Sequence, residues 1–233
     1  MSTVRPAIVL VHGAWHGAWC WQRVVPLLES RGHLVSTVEL PSVGAARDVS
    51  IGLENDAAVV REAIDQMDGP VLLCGHSYGG MVISLASSGS RGVVRLVYVC
   101  AFVPDSGESL IAMGGGKLAP WIQDVGGGLT LPDLAQAPQI FYSDCDAATQ
   151  SWATGQLRPQ CGVAYTQVVP HPGWKDIPST YIVCSADAGV PPDWQRNVLA
   201  PRLNKTVELA SSHSPFLSQP GALADLLARE VPP

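Results

Sequence analysis

The residues best suited to chemistry are Gly75-His76-Ser77-Tyr78-Gly79, which follow the apolar run Val71-Leu72-Leu73-Cys74 and precede a helical pattern over 78–88. A serine at a strand-to-helix junction sits on a sharp turn that lifts its hydroxyl above the sheet edge. Glycines two places before and after it let strand and helix approach closely. The motif alone says little in a chain with 23 glycines, where an ordinary Gly-rich turn is the alternative; its position gives it weight. Such a serine becomes a nucleophile when a base takes its proton and an acid orients the base. Two later apolar runs supply both. The run 180–184 leads into Ser185-Ala186-Asp187, and 205–209 leads into Ala210-Ser211-Ser212-His213. The expected roles are attack by Ser77, proton transfer by His213 and orientation of His213 by Asp187, in the chain order serine, acid, histidine. His171 competes as the base but follows no strand, and Asp105, just after the run 93–99, competes as the acid.

The segment His12-Gly13-Ala14-Trp15-His16-Gly17 follows the run 7–11. An oxyanion hole needs two backbone N–H groups aimed where negative charge develops. Tyr78, next to the serine, and Ala14 are the candidates, while His12 and His16 are expected to brace the loop by hydrogen bonds. The two histidines lie in a Gly-rich loop, where a spacing of four does not put them on one helix face, and no carboxylate cluster accompanies them. No G-x-G-x-x-G cradle for phosphate occurs, so neither a metal nor another cofactor is expected. Seven tryptophans are many for 233 residues. Trp15, Phe102, Trp121 and Trp152 are candidates for lining a substrate pocket, although packing is the commoner role of each such side chain.

These residues need a frame. Apolar runs at 7–11, 34–38, 71–74, 93–99, 180–184 and 205–209 alternate with helical patterns at 53–67, 78–88 and about 220–230. Runs apolar on both faces, separated by helices, point to an α/β sheet of six mostly parallel strands with helices on both faces. Between about 104 and 176 the rhythm fails, with Gly114-Gly115-Gly116 and Gly126-Gly127-Gly128 marking turns. A structureless loop of that length is improbable within one domain, so 104–176 is expected to be a partly helical cap inserted in a single domain, 1–233.

Apolar residues make up 47% of the chain and charged ones 15%, and the net charge is −6. The basic residues are scattered, so neither nucleic acid nor a membrane surface is an expected partner. A small-molecule ester is, and self-association into a homodimer stays open. No apolar stretch approaches a membrane span, and no secretory signal opens the chain, which predicts a cytoplasmic protein. Cys74, Cys100 and Cys184 end apolar runs and read as buried thiols. Pairing of Cys145 with Cys161 is left open, disfavoured by the missing signal.

Several segments resemble one family. His12 to Trp21, the GHSYGG stretch, Ala101-Phe102-Val103-Pro104-Asp105-Ser106, Tyr181 to Gln195 and the His213 segment are similar to the plant methylesterase and hydroxynitrile lyase branch of the α/β-hydrolases. Asp144-Cys145 through Arg158-Pro159 resembles bacterial carboxylesterases akin to pyrethroid hydrolases. The resemblance is loosest from about 107 to 140. It implies the α/β-hydrolase fold, a triad of Ser77, Asp187 and His213, and oxyanion donors at Ala14 and Tyr78. The lyases of the branch resemble one another in a Thr after the first histidine of the oxyanion loop and a Lys after the catalytic histidine. Gly13 and Ser214 stand there in this chain, which favours an esterase. The expected activity is therefore hydrolysis of an apolar or aromatic ester, with a methyl ester among the options, through an acyl-serine. Cyanohydrin cleavage and non-catalytic binding of a small molecule are the alternatives.

Overall fold

The computed structural model describes residues 5–44 and 48–232. Along the chain, β1 (Ala7–Val11), α1 (Val25–Glu29), β2 (Val35–Thr37), α2 (Leu53–Asp65), β3 (Val71–His76), α3 (Gly79–Ala86) and β4 (Val93–Val99) come first. Smaller elements follow: β5 (Glu108–Ser109), α4 (Leu110–Met113), β6 (Ile122–Gly126), β7 (Leu129–Pro132), α5 (Ala137–Phe141), α6 (Ala147–Gln156), β8 (Gln160–Cys161) and β9 (Val168–Val169). The regular alternation then resumes with β10 (Ser179–Cys184), α7 (Pro192–Trp194), β11 (Lys205–Leu209), α8 (Pro215–Ser218) and α9 (Pro220–Glu230).

The six long-range strands form one sheet in the order β11-β10-β4-β3-β1-β2, and every pairing in it is parallel. Residues of β1, β3 and β10 are buried throughout, as strands covered on both faces must be. Helix α3 is buried along its whole length, and α2 turns Leu53, Ala57, Val60 and Ile64 inward. Strand order reverses between β1 and β3, whose carboxyl ends meet at Val11 and Gly75. His76 pairs with Val99, Val99 with Ile182, and Cys184 with Leu209. The loops leaving β1, β3, β4, β10 and β11 thus share one rim, where open α/β sheets bind ligands.

Between β4 and β10 the chain is part helix, α4, α5 and α6, and part small sheet. It builds a three-stranded antiparallel sheet, β6-β7-β8, and the two-stranded pair β5-β9. Gly126, Gly127 and Gly128 all have positive φ and make the tight β6–β7 turn, which L side chains would strain. Cys145 and Cys161 do not pair. Among the described residues no helix is long and apolar enough to cross a membrane.

Candidate active site

The turn after β3 holds Ser77 at φ +52, in the left-handed region that a side chain disfavours. Backbone crowding explains the glycines around it. A Cβ on Gly75 would lie 2.6 Å from the Gly79 carbonyl oxygen, and one on Gly79 would lie 2.7 Å from the His12 carbonyl oxygen. Three segments therefore converge with backbone against backbone. Val99 C=O accepts from the Ser77 N–H (3.2 Å), and Ser77 C=O accepts from the Phe102 N–H (3.1 Å), which ties the turn to the end of β4. The Ser77 side chain faces a cavity and makes no hydrogen bond with another described residue.

Asp187 and His213, from the loops after β10 and β11, meet with Nδ1 of His213 donating to Oδ2 of Asp187 over 2.7 Å, both side chains buried. Three other donors hold the carboxylate. Oδ1 accepts from the Gly189 N–H (2.7 Å) and the Val190 N–H (2.9 Å), and Oδ2 from Nε2 of Gln195 (2.9 Å). Gln195 is buried at the head of a one-turn π-helix and accepts from the Cys184 N–H through its own Oε1. The His213 backbone is also gripped. Its carbonyl accepts from Nε2 of His76 (2.8 Å) and from the Cys100 thiol (3.4 Å), and Asp144 accepts from the Ser212 N–H (2.9 Å). His76, Cys100 and His213 bring nitrogen and sulfur donor atoms within 4.8 Å of one another. The hydrogen bonds to the His213 carbonyl account for that closeness. The rival acid, Asp105, lies on the surface in an ion pair with Lys175, and the rival base, His171, pairs with Asp176.

The loop after β1 is braced by its histidines. Burial lowers His12 to about 4 and His16 to about 3, so each ring is neutral, with one donor and one acceptor nitrogen. Nδ1–H of His12 donates to the Gly13 carbonyl (2.8 Å), and its Nε2 accepts from the Leu40 N–H (3.1 Å). Nδ1–H of His16 donates to the Ala14 carbonyl (2.7 Å), and its Nε2 accepts from the Tyr142 hydroxyl (2.9 Å). Fixing the Gly13 carbonyl fixes the peptide that carries the Ala14 N–H. Among the described residues neither the Ala14 nor the Tyr78 N–H donates to a protein acceptor, and both residues line the cavity with Ser77. Tyr78 also precedes the first turn of α3, whose dipole favours negative charge there.

The cavity measures about 430 Å³ and is walled mainly by apolar side chains; Ser77, His213, Lys117 and the tyrosines Tyr78 and Tyr165 are among its polar members. Trp15, Phe102 and Trp121 line it as expected, joined by Phe141, Tyr165 and Trp194. Trp152 does not. Helix α6 turns it against Trp19, edge to face at 5.2 Å, with 37% of its surface exposed, so its expected place in the pocket is corrected. The reading from sequence also passed over Gln195, Asp144, Gln160 and Asp56. Of these Asp56 left a trace, since it is a carboxylate on the inward face of α2.

Comparison with known proteins agrees with this architecture. A model of the alpha/beta hydrolase family matches residues 8–226, and the chain belongs to that family. The carbendazim-hydrolysing esterase of Nocardioides sp. (strain SG-4G) is 30% identical, across 94% of this chain and 97% of its own. Methylesterase 2 of Arabidopsis thaliana is 27% identical, across 94% and 93%. Among solved structures, the pyrethroid hydrolase PytH superposes with a TM-score of 0.80 at 26% identity, with 96% of each chain covered.

Proposed function

We propose that the protein is a serine carboxylesterase that hydrolyses an apolar ester of aromatic size through an acyl-serine intermediate. One juxtaposition carries this reading: a strained Ser77 opens to the same apolar cavity as His213, already bonded to buried Asp187, and as two unpartnered backbone N–H groups. His213 takes the Ser77 proton as Oγ attacks the ester carbonyl, and Ala14 and Tyr78 donate to the oxyanion. The proton passes to the departing alcohol. Water then attacks the acyl-serine with His213 again as base, releasing the acid. Asp187 holds the imidazole in the tautomer whose Nε2 is free to accept, and stabilises its cation. The names of the related esterases and of the pyrethroid hydrolase support the reaction class.

Hydrolysis is favoured over cyanohydrin cleavage by two positions. Ser214 puts no ammonium beside His213 to stabilise a departing cyanide. At Gly13 a Cβ would come within 2.8 Å of Nδ1 of His76 and 2.9 Å of the Ser77 Cβ, so a threonine would displace the turn itself. We take the chain as one domain in which residues 104–176 cap the rim, and the cytoplasm as its place. Its six unpaired cysteines fit a reducing compartment. Ser77→Ala is expected to abolish turnover of an activated aryl ester without lowering the melting temperature. Undiminished hydrolysis by that variant would move the nucleophile elsewhere, and cyanide release from an aromatic cyanohydrin by the unaltered enzyme would favour the lyase.

A further inference from the structure

A buried chain of polar side chains runs beneath the cavity, and the triad does not use it. Asp56, with no exposed surface, accepts at Oδ1 from the Ser42 N–H (2.9 Å) and at Oδ2 from the Ser42 hydroxyl (2.6 Å) and the Tyr78 hydroxyl (2.7 Å). Ser42 Oγ accepts in turn from Nε2 of Gln160 (2.9 Å). Oε1 of Gln160 accepts from the Tyr165 hydroxyl (3.0 Å) and the Trp15 N–H (3.2 Å). The ends of this chain are telling. One is Tyr78 itself, and the other is the residue directly after Ala14.

We propose that Asp56, Ser42 and Gln160 form an internal brace that holds the Ala14 and Tyr78 N–H groups at a fixed separation. They would thus be positioning residues for the tetrahedral oxyanion. The inference rests on the carboxylesterase reading above. The two donors belong to different loops, after β1 and after β3, and an oxyanion is stabilised only if both point at one atom. His12 and His16 tie the first loop to Leu40 and Tyr142, whereas the brace ties it to the second oxyanion loop. It does so through Gln160 of β8, so the segment between β4 and β10 contributes to the geometry of the hole. A buried carboxylate and amide add little net stability compared with an apolar core, so their presence calls for a geometric reason.

The test separates positioning from folding. Tyr78→Phe keeps the Tyr78 backbone N–H and cuts the brace at Asp56, while Gln160→Leu cuts it at Trp15. Each is expected to lower kcat on an aryl acetate about tenfold, with KM changed less than about twofold, short of the hundredfold or more that follows loss of a donor. Affinity for an arylboronic acid, whose serine adduct places an oxygen in the hole, should fall by the same factor as kcat. Affinity for the neutral aryl alcohol product should not. The double variant should lose little more than either single one, because one chain is being cut. Ser42→Ala serves if Gln160→Leu fails to fold. Unchanged kcat and boronate affinity in Tyr78→Phe, or equal losses for boronate and alcohol, would overturn the brace. If the unaltered enzyme neither hydrolyses esters nor binds the boronate, the carboxylesterase reading itself falls.

Discussion

Asp187 accepts four hydrogen bonds in a buried site, and only one of them comes from His213. The other three hold the carboxylate independently of the imidazole, so the orienting role proposed for it rests on the loop 187–190 and on Gln195. Asp187→Asn preserves shape while inverting the hydrogen-bond demand on His213. It is expected to lower kcat by about a thousandfold to ten-thousandfold with little change in KM, as steady-state rates on an aryl ester would register. The aromatic residues separate in the same way. Trp121 lines the cavity, so Trp121→Ala should change KM for an aromatic ester several-fold. Trp152 packs on Trp19 outside it, so Trp152→Ala should leave kcat/KM within about twofold. A reversal of that contrast would mean that substrate enters on the Trp19 side. The placing of Ser77, Asp187 and His213 on loops at one rim was legible in the sequence because each lies three or four residues beyond the end of an apolar run. Trp152 was misread because residue type says nothing of the direction in which α6 points it. Gln195, Asp144 and Gln160 act across loops whose approach no local pattern encodes.

At the scale of elements, the strands of the main sheet were legible from short, mostly β-branched apolar runs, and α2, α3 and α9 from their three-and-four spacing. The small sheet β6-β7-β8 was not, because strands of only two to five residues are too short to show a clear period. Its glycine run reads as a flexible turn in sequence and is a tight hairpin in the fold. Helix α2 has a further property. Burial pushes Asp56 up to about 6 from an ordinary value of 3.8, despite the opposing hydrogen bonds from Ser42 and Tyr78. The titratable groups nearest it, Tyr78, Tyr165 and Cys161, are all raised and stay neutral over this range. Between pH 4 and 6 the folded protein keeps a proton that the unfolded chain releases, so Asp56 makes stability fall as pH rises through that window, by about 3 kcal/mol. Asp56→Asn cannot titrate. Urea midpoints of the two proteins at pH 4 and pH 7 should therefore show the original losing ground to the variant at the higher pH. A constant or opposite difference would mean that Asp56 is not held as described.

Taken whole, the molecule converges loops from five parallel strands on one rim and sets an aromatic-walled cavity of about 430 Å³ above it. On the proposed reading that geometry is what would activate a serine, an ordinarily weak nucleophile, because strain, the imidazole and a helix N-terminus bear on the same few atoms. The most direct test is covalent. Incubation with an aryl fluorophosphonate, followed by intact-mass and peptide analysis, should give a single adduct on Ser77, formed at least about a hundredfold more slowly in His213→Ala. Labelling of a different residue, or no labelling of a folded protein, would contradict the account.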